Sequence, residues 1–157
     1  MKWYFQIAKD ISERSPCTRR KCGTVLIREG VILATGYNGS CRGSLNCGED
    51  VQCLKDKHNE PSRISYNHCP GVHAEVNSII NAARSGISTI GTTLYLYSSK
   101  LDDGEPCIFC RRVLINAGVK DCHFMDGSGN ITHKNIKQWI SEENKWMKEE
   151  ERNETKQ

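Results

Sequence analysis

Apolar positions recur along this chain with two different periods. Over residues 2–14, Phe5, Ile7, Ala8 and Ile11 fall at helical intervals and predict an amphipathic helix, with Trp3, Tyr4 and Phe5 read as core packing rather than a ligand-stacking patch. "TVLI" (24–27) and "VILATGY" (31–37), parted by "REG", predict a β-hairpin. Residues 38–70 then lose all periodicity and turn rich in Gly, Asn and Cys. So long a stretch without regular structure is uncommon in a compact domain, so something other than apolar packing must hold it. Helical spacing resumes after His73 with Val76, Ile79, Ile80 and Ala83 and stops at Gly86. "TTLYLYS" (92–98) predicts a strand. "PCIFCRRVLINAG" (106–118) predicts a helix entered at Pro106 and stopped at Gly118, with apolar positions at 109, 113 and 114. "VKDCHFM" (119–125) predicts another strand and "DGSGN" a turn. From 131 onward the pattern predicts a helix whose stripe is Ile136, Trp139, Ile140 and Trp146, running into a charged tail.

Strands alternating with helices in the second half predict parallel pairing there, fed by an antiparallel hairpin. The expected fold is α/β, a three-layer α/β/α sandwich with a mixed central sheet. With neither linker nor repeat, residues 1–157 read as one domain. It carries a Cys-rich insert at about 38–70 and a charged C-terminal helix and tail at about 132–157.

Composition narrows the function classes. A net charge of +3 is too small, and basic and aromatic residues too little interleaved, for a nucleic-acid-binding face. No run has membrane-spanning length, so no membrane partner is expected. Lys9, Asp10 and Glu13 break up the N-terminal apolar residues, unlike a signal peptide, and the expected location is cytoplasmic. In that reducing compartment nine cysteines, an odd number, point to metal binding or catalysis rather than disulfides.

Cys107 and Cys110 open a predicted helix at a spacing that puts both sulfurs on one face, where the helix dipole favours thiolates. Alone, such a pair is also compatible with a redox couple or half of a zinc ribbon. His73, opening another predicted helix, supplies a third ligand. Three protein ligands on Zn²⁺ leave a fourth position for water, the arrangement of a catalytic site. Glu75 follows His73 by two positions and is placed to move protons without ligating. "HAE" (73–75) followed by "PCIFC" (106–110) is the H-x-E, P-C-x-x-C signature of zinc nucleobase deaminases. A four-ligand zinc knuckle would leave the placing of Glu75 unexplained.

On these residues, together with "ATGYNGS" (34–40), "HAEVNSII" (73–80) and "TRRKCGTVLI" (18–27), the chain resembles the deoxycytidylate (dCMP) deaminases of the cytidine deaminase-like superfamily. The resemblance implies hydrolysis of dCMP to dUMP and ammonia. It places Asn38 on the nucleotide's sugar or phosphate, the backbone at Ala74 on the base carbonyl, and an effector-responsive arginine at Arg84. Arg19, Arg20 and Lys21 are its candidate partners for a 5′-phosphate, equally readable as solvated surface charge. It also implies a second, structural zinc bound before the first strand and within the insert. Cys17, Cys47, Cys53 and Cys69 match those places, and His68 or Cys41 could displace one of them; Cys22 and Cys122 read as buried thiols. His58, His123 and His133 read as surface or packing residues. The resemblance further implies a homo-oligomer, often a hexamer, and dCTP and dTTP as effectors. Two departures bear on it. Cys41 stands where the G-Y-N-G loop usually carries proline, which touches effector response, and residues 98–107 are longer than the usual link, which touches the substrate mouth. Another deaminase acting on a cytosine or guanine derivative, and a non-catalytic zinc module that binds nucleic acid or a partner, are the competing readings.

Overall fold

The computed structural model describes residues 1–61, 67–101 and 104–154. Its elements, in chain order, are α1 (Lys2–Ser12), β1 (Cys22–Arg28), β2 (Val31–Tyr37), β3 (Gly39–Ser40), α2 (Leu54–Lys57), β4 (Gly71–Val72), α3 (Ala74–Arg84), β5 (Thr93–Ser98), α4 (Ile108–Asn116), β6 (Asp121–Met125), β7 (Ile131–Asn135) and α5 (Ile136–Glu154). Five strands form one sheet in the order β2-β1-β5-β6-β7. Among the described residues of this sheet only β5 and β6 run parallel, joined across α4 as a βαβ unit, and its other strand pairings are antiparallel. The mixed sheet and the three-layer α/β arrangement agree with the expectation from the pattern.

Alternation along β1 assigns the layers. Val25 and Ile27 point to one face and pack with Phe5 and Ala8 of α1 and Tyr95 of β5. Leu26 points to the other, where Leu94, Leu96, Cys122 and Phe124 meet Ala82 of α3, Leu114 of α4 and Trp139 of α5. Trp3 stays outside, 61% exposed, so the N-terminal aromatic run contributes Phe5 to the core and not Trp3.

Two glycines let helices lie directly on strands. A Cβ at Gly23 would stand 2.0 Å from the Ala8 carbonyl oxygen of α1. A Cβ at Gly36 would stand 2.3 Å from the Ala74 carbonyl oxygen of α3. This closeness corrects the expected stripe of α3. Its buried residues are Ala74, Glu75, Ser78 and Ala82, while Ile80 and Ala83 face solvent, because only small side chains fit a helix seated this near the sheet. Thr24 Oγ1 donates to the Ala74 carbonyl at 3.0 Å. Asn77 and Asn81 donate at 2.7 Å to the carbonyls of Tyr37 and Thr35, covering the outer edge of β2.

Four further expectations are corrected. The helix expected from 131 begins only at Ile136, because Ile131–Asn135 pairs with β6 as an edge strand. "DGSGN" is therefore a hairpin turn, in which Asp126 accepts hydrogen bonds from the backbone N–H groups of Ser128 and Asn130 and from the Asn130 side chain. On α5 only Ile136 and Trp139 of the predicted stripe are buried; Ile140 and Trp146 are exposed at 39% and 49%. Phe109 on α4 is likewise exposed rather than core. The insert carries more order than its sequence pattern implied: β3 pairs with β4, and α2 makes a single short turn of helix. Its residues 62–66, and residues 102–103 of the long link before Cys107, lie outside the described residues.

Candidate active site

Two helix starts converge. His73 is the N-cap of α3 and Cys107 the N-cap of α4, both in extended backbone conformation and neither making a side-chain cap. The backbone N–H groups of Asn77 and Arg111 return to their carbonyls at 2.9 Å, as an N-cap requires. A Ser, Asp or Asn at each position would stabilise its helix by about 1 kcal/mol. Instead both positions carry metal-ligand residue types, and both helix dipoles aim their positive ends at the same point.

There His73 Nδ1 lies 3.2 Å from Cys110 Sγ and 3.4 Å from Cys107 Sγ. Among the described residues these three donors form the one group whose ligand atoms all lie within 4.8 Å of one another. Zinc bonds of about 2.0–2.1 Å to nitrogen and about 2.3 Å to sulfur imply tetrahedral edges of roughly 3.6 Å, so the three atoms already approximate one face of a zinc tetrahedron. The chemistry of the donors fits as well. The Cys110 thiol is pushed up by its hydrogen bond with Cys107 and by burial, and Glu75 by burial above all. Crowded acids of this kind are held neutral by one another, and a divalent cation is the partner that lets both sulfurs ionise. The residues present therefore fit zinc.

Glu75, in the first turn of α3, is 5% exposed, and its carboxyl lies close enough to Cys110 for the two acids to influence each other's ionisation. Its burial comes from Gly36 and Thr24 drawing the helix start onto the sheet. His73, Ala74 and Glu75 open into a cavity of about 150 Å³. An apolar strand residue, Leu96, and the sulfur-rich insert form other parts of its wall. Cys22 lines it too, its thiol pushed up to about 12 chiefly by burial, and Cys122 is fully buried in β6.

The remaining expected residues divide. Asn38, Arg19 and Arg20 line the cavity. Asn38 binds the ends of β1 and β2 together, accepting from Cys22 N–H at 2.7 Å and donating to the Arg20 carbonyl at 2.9 Å. Arg19 pairs with Asp56 at 3.0 Å and reaches the Glu60 carbonyl at 2.9 Å, yet its Nη1 is buried without a hydrogen-bond partner among the described residues. Lys21 is outside the cavity, paired with Glu13 at 3.0 Å, and Arg84 is exposed at the far end of α3, so neither joins the site. Cys17, Cys47, Cys53 and Cys69 all line the cavity. Burial and then the neighbouring charges of Cys53, Cys69 and Cys17 raise the Cys47 thiol, so the four sulfurs feel one another, although no three of them converge as the first group does. His68 also lines the cavity and pairs with Glu60, whereas Cys41 is exposed beside Ser44.

Three wall residues were not foreseen. Ser40 follows the G-Y-N-G loop directly, and its Oγ is buried without a partner among the described residues. Lys55, 6% exposed, lies in the insert, where its sequence carries no signal that sets it apart from the other charges. Glu105, beside "PC", was legible only as a carboxylate close to the ligand pair.

Comparison with known proteins agrees with this geometry. Residues 1–126 match the family model for the cytidine and deoxycytidylate deaminase zinc-binding region. A deoxycytidylate deaminase of Schizosaccharomyces pombe is 31% identical over 119 residues, 76% of this chain and 34% of that protein. The deoxycytidylate deaminase of Mycobacterium phage D29 is 30% identical over 121 residues, 76% of this chain and 88% of that protein. This chain thus spans about a third of the yeast relative's length and most of the phage one's. The crystal structure of dCMP deaminase from the cyanophage S-TIM5 in complex with dCMP and dUMP superposes with a TM-score of 0.61 at 30% identity, covering 80% of this chain and 79% of that one. With a family model matching residues 1–126 and a relative 30% identical over most of its length, the chain belongs to the cytidine and deoxycytidylate deaminase zinc-binding family.

Proposed function

We propose that this chain hydrolyses dCMP to dUMP and ammonia, with His73, Cys107 and Cys110 holding zinc. The observation that carries the reading is Glu75, a carboxyl buried beside three soft donors, raised by that burial and open to the same cavity. When bound, zinc supplies Lewis acidity that makes water a usable nucleophile near neutral pH. Glu75 accepts a proton from the attacking water, delivers it to N3 of the cytosine, and then delivers the water's second proton to the departing amine. The water's oxygen becomes the C4 carbonyl, the C4–N bond breaks, and ammonia leaves, so one water is consumed per turnover. Holding the catalytic carboxyl out of bulk water favours its cycling between the two protonation states.

The base lies against α3, where the Ala74 N–H belongs to a first turn without intrahelical acceptors and is free to meet the base carbonyl. Asn38, anchored at both strand ends, presents its remaining amide hydrogen to the sugar or phosphate. Arg19 and Arg20 hold the 5′-phosphate. The orphaned Arg19 Nη1 and Ser40 Oγ support that assignment, because buried polar atoms without partners are costly unless a ligand completes them. The lysine nearby, Lys55, adds charge of the same sign.

A second, structural zinc on Cys17, Cys47, Cys53 and Cys69 accounts for how the insert is held, with His68 the alternative ligand that also lines the cavity. A reducing, cytoplasmic setting belongs to the same reading, because it keeps these cysteines available as metal ligands. No helix among the described residues is long and apolar enough to cross a membrane. A homo-oligomer and response to dCTP or dTTP complete the proposal.

The test is a panel of dCMP, CMP, deoxycytidine, cytosine and guanine, followed by ammonia release. Turnover of dCMP far above the free nucleoside and bases supports the reading. Inert dCMP beside rapid turnover of another ring assigns the scaffold a different substrate.

A further inference from the structure

Glu105 stands two residues before Cys107, and its carboxylate is divided between two helices. Its Oε1 accepts from the Trp139 indole N–H of α5 at 2.9 Å. Its Oε2 lies 2.9 Å from Arg111 Nη2 of α4. Arg111 closes the circuit onto the ligand loop: its Nε donates to the Pro106 carbonyl at 2.9 Å, and its backbone N–H to the Cys107 carbonyl at 2.9 Å. The guanidinium also lies 5.7 Å from the centre of the Trp139 ring and 3.7 Å from Glu142. Trp139 and Pro106 are both fully buried.

Apolar packing of α5 needs the Trp139 ring but not its N–H, and a half-buried carboxylate beside a cavity is costly unless it is paired. Here the polar groups form one connected network, and apart from the Arg111–Glu142 branch its paths end on the peptide units flanking Cys107. Although Glu105 lines the cavity, each oxygen is engaged by a donor on α4 or α5, so its action runs through the loop rather than onto a substrate.

We propose that Glu105 is a positioning residue: with Trp139 and Arg111 it clamps the Pro106–Cys107 loop and fixes the Cys107 sulfur for the metal, making helix α5 part of the metal site's support. This rests on reading His73, Cys107 and Cys110 as the zinc ligands. Outer partners of this kind typically contribute 10–100-fold to metal affinity.

The test is the rate at which the zinc-loaded protein yields its metal to a chromophoric chelator, beside kcat and KM for dCMP. Trp139→Phe keeps an aromatic ring in the core while removing the N–H together with part of the indole's volume, so it reads the clamp even if a Glu105 variant fails to fold, and Glu105→Gln, which leaves the core volume intact, must agree with it. Glu105→Gln sets an amide N–H against one of the two donors. Arg112→Ala is the comparator, since it breaks another α4–α5 tie, the Arg112–Glu143 pair, without touching the loop. The expected result is zinc release about tenfold faster or more in Glu105→Gln and Trp139→Phe, with kcat lowered more than KM is raised, and release in Arg112→Ala close to wild type. Release unchanged in the first two overturns the clamp. Equal acceleration in all three also overturns it, because generic loosening of α5 then suffices. A wild-type protein that binds no zinc fails differently: it removes the ligand assignment itself, and the clamp with it.

Discussion

At the scale of single residues the site trades helix stability for chemistry. His73 and Cys107 occupy N-cap positions without capping, and Glu75 spends burial on a carboxyl that water would solvate better. Each uncapped helix start costs on the order of 1 kcal/mol of fold stability, which a cation that gathers the donors offsets. Replacing a ligand should therefore act on metal content and stability together. We expect His73→Ala and Cys107→Ser to lose one zinc by elemental analysis and to abolish the rise in melting temperature that zinc confers on the wild type. Unchanged metal content would contradict the ligand set. Glu75→Gln leaves the donors intact, so zinc should stay at wild-type level while kcat falls by about 10²–10⁴, the range for a lost general acid–base.

At the scale of elements, the glycines of β1 and β2 decide how the helices meet the sheet. They sit on opposite faces, and only one of them touches the site. Gly36→Ala would push on the backbone between His73 and Glu75, whereas Gly23→Ala would push on α1. Both should lower the urea midpoint, by about 1–3 kcal/mol of overpacking. Only Gly36→Ala should also speed zinc release to a chelator; equal effects on release would sever the link between that strand and the site. The β6–β7 hairpin adds a pH dependence. The Asp126 carboxyl is held below the usual aspartate range above all by its hydrogen bond from the Asn130 side chain; burial opposes this, and backbone N–H groups of the turn add to the lowering. A depressed folded-state value means the turn contributes fully above the ordinary aspartate pKa of about 3.9 and loses that contribution as pH falls through the folded value. Between about pH 5 and about pH 3 the wild-type urea midpoint should fall more than that of Asp126→Asn. Parallel curves for the two proteins would refute this role for the turn.

At the scale of the whole molecule, the parts legible in the sequence were those whose signal is local. "HAE" and "PCIFC" carry their spacing in a few contiguous residues, and the β1–β2 hairpin and the β5–α4–β6 unit carry clear periods. What sequence pattern missed depends on contacts made at a distance. β7 is five residues long with an exposed outer edge, and its pattern merges into the helix that follows. The buried face of α3 is small rather than apolar because Gly36, far back in the chain, lets it sit so close. Lys55 and Ser40 acquire a role only because the insert folds over the cavity. That insert predicts a stoichiometry. Metal analysis of the purified chain should find about two zinc ions, and Cys53→Ser should lower the count by one while leaving the other in place. A single ion in the wild type would remove the insert's zinc.

One measurement reaches the centre of the account: ammonia released from dCMP by the wild type and by Glu75→Gln, compared at equal zinc content. The account predicts steady release from the wild type, matched by dUMP, and release from the variant lower by at least about a hundredfold. A variant of equal metal content that turns dCMP over at a comparable rate would contradict it, because the buried acid beside the three donors would then not be the group that moves the protons.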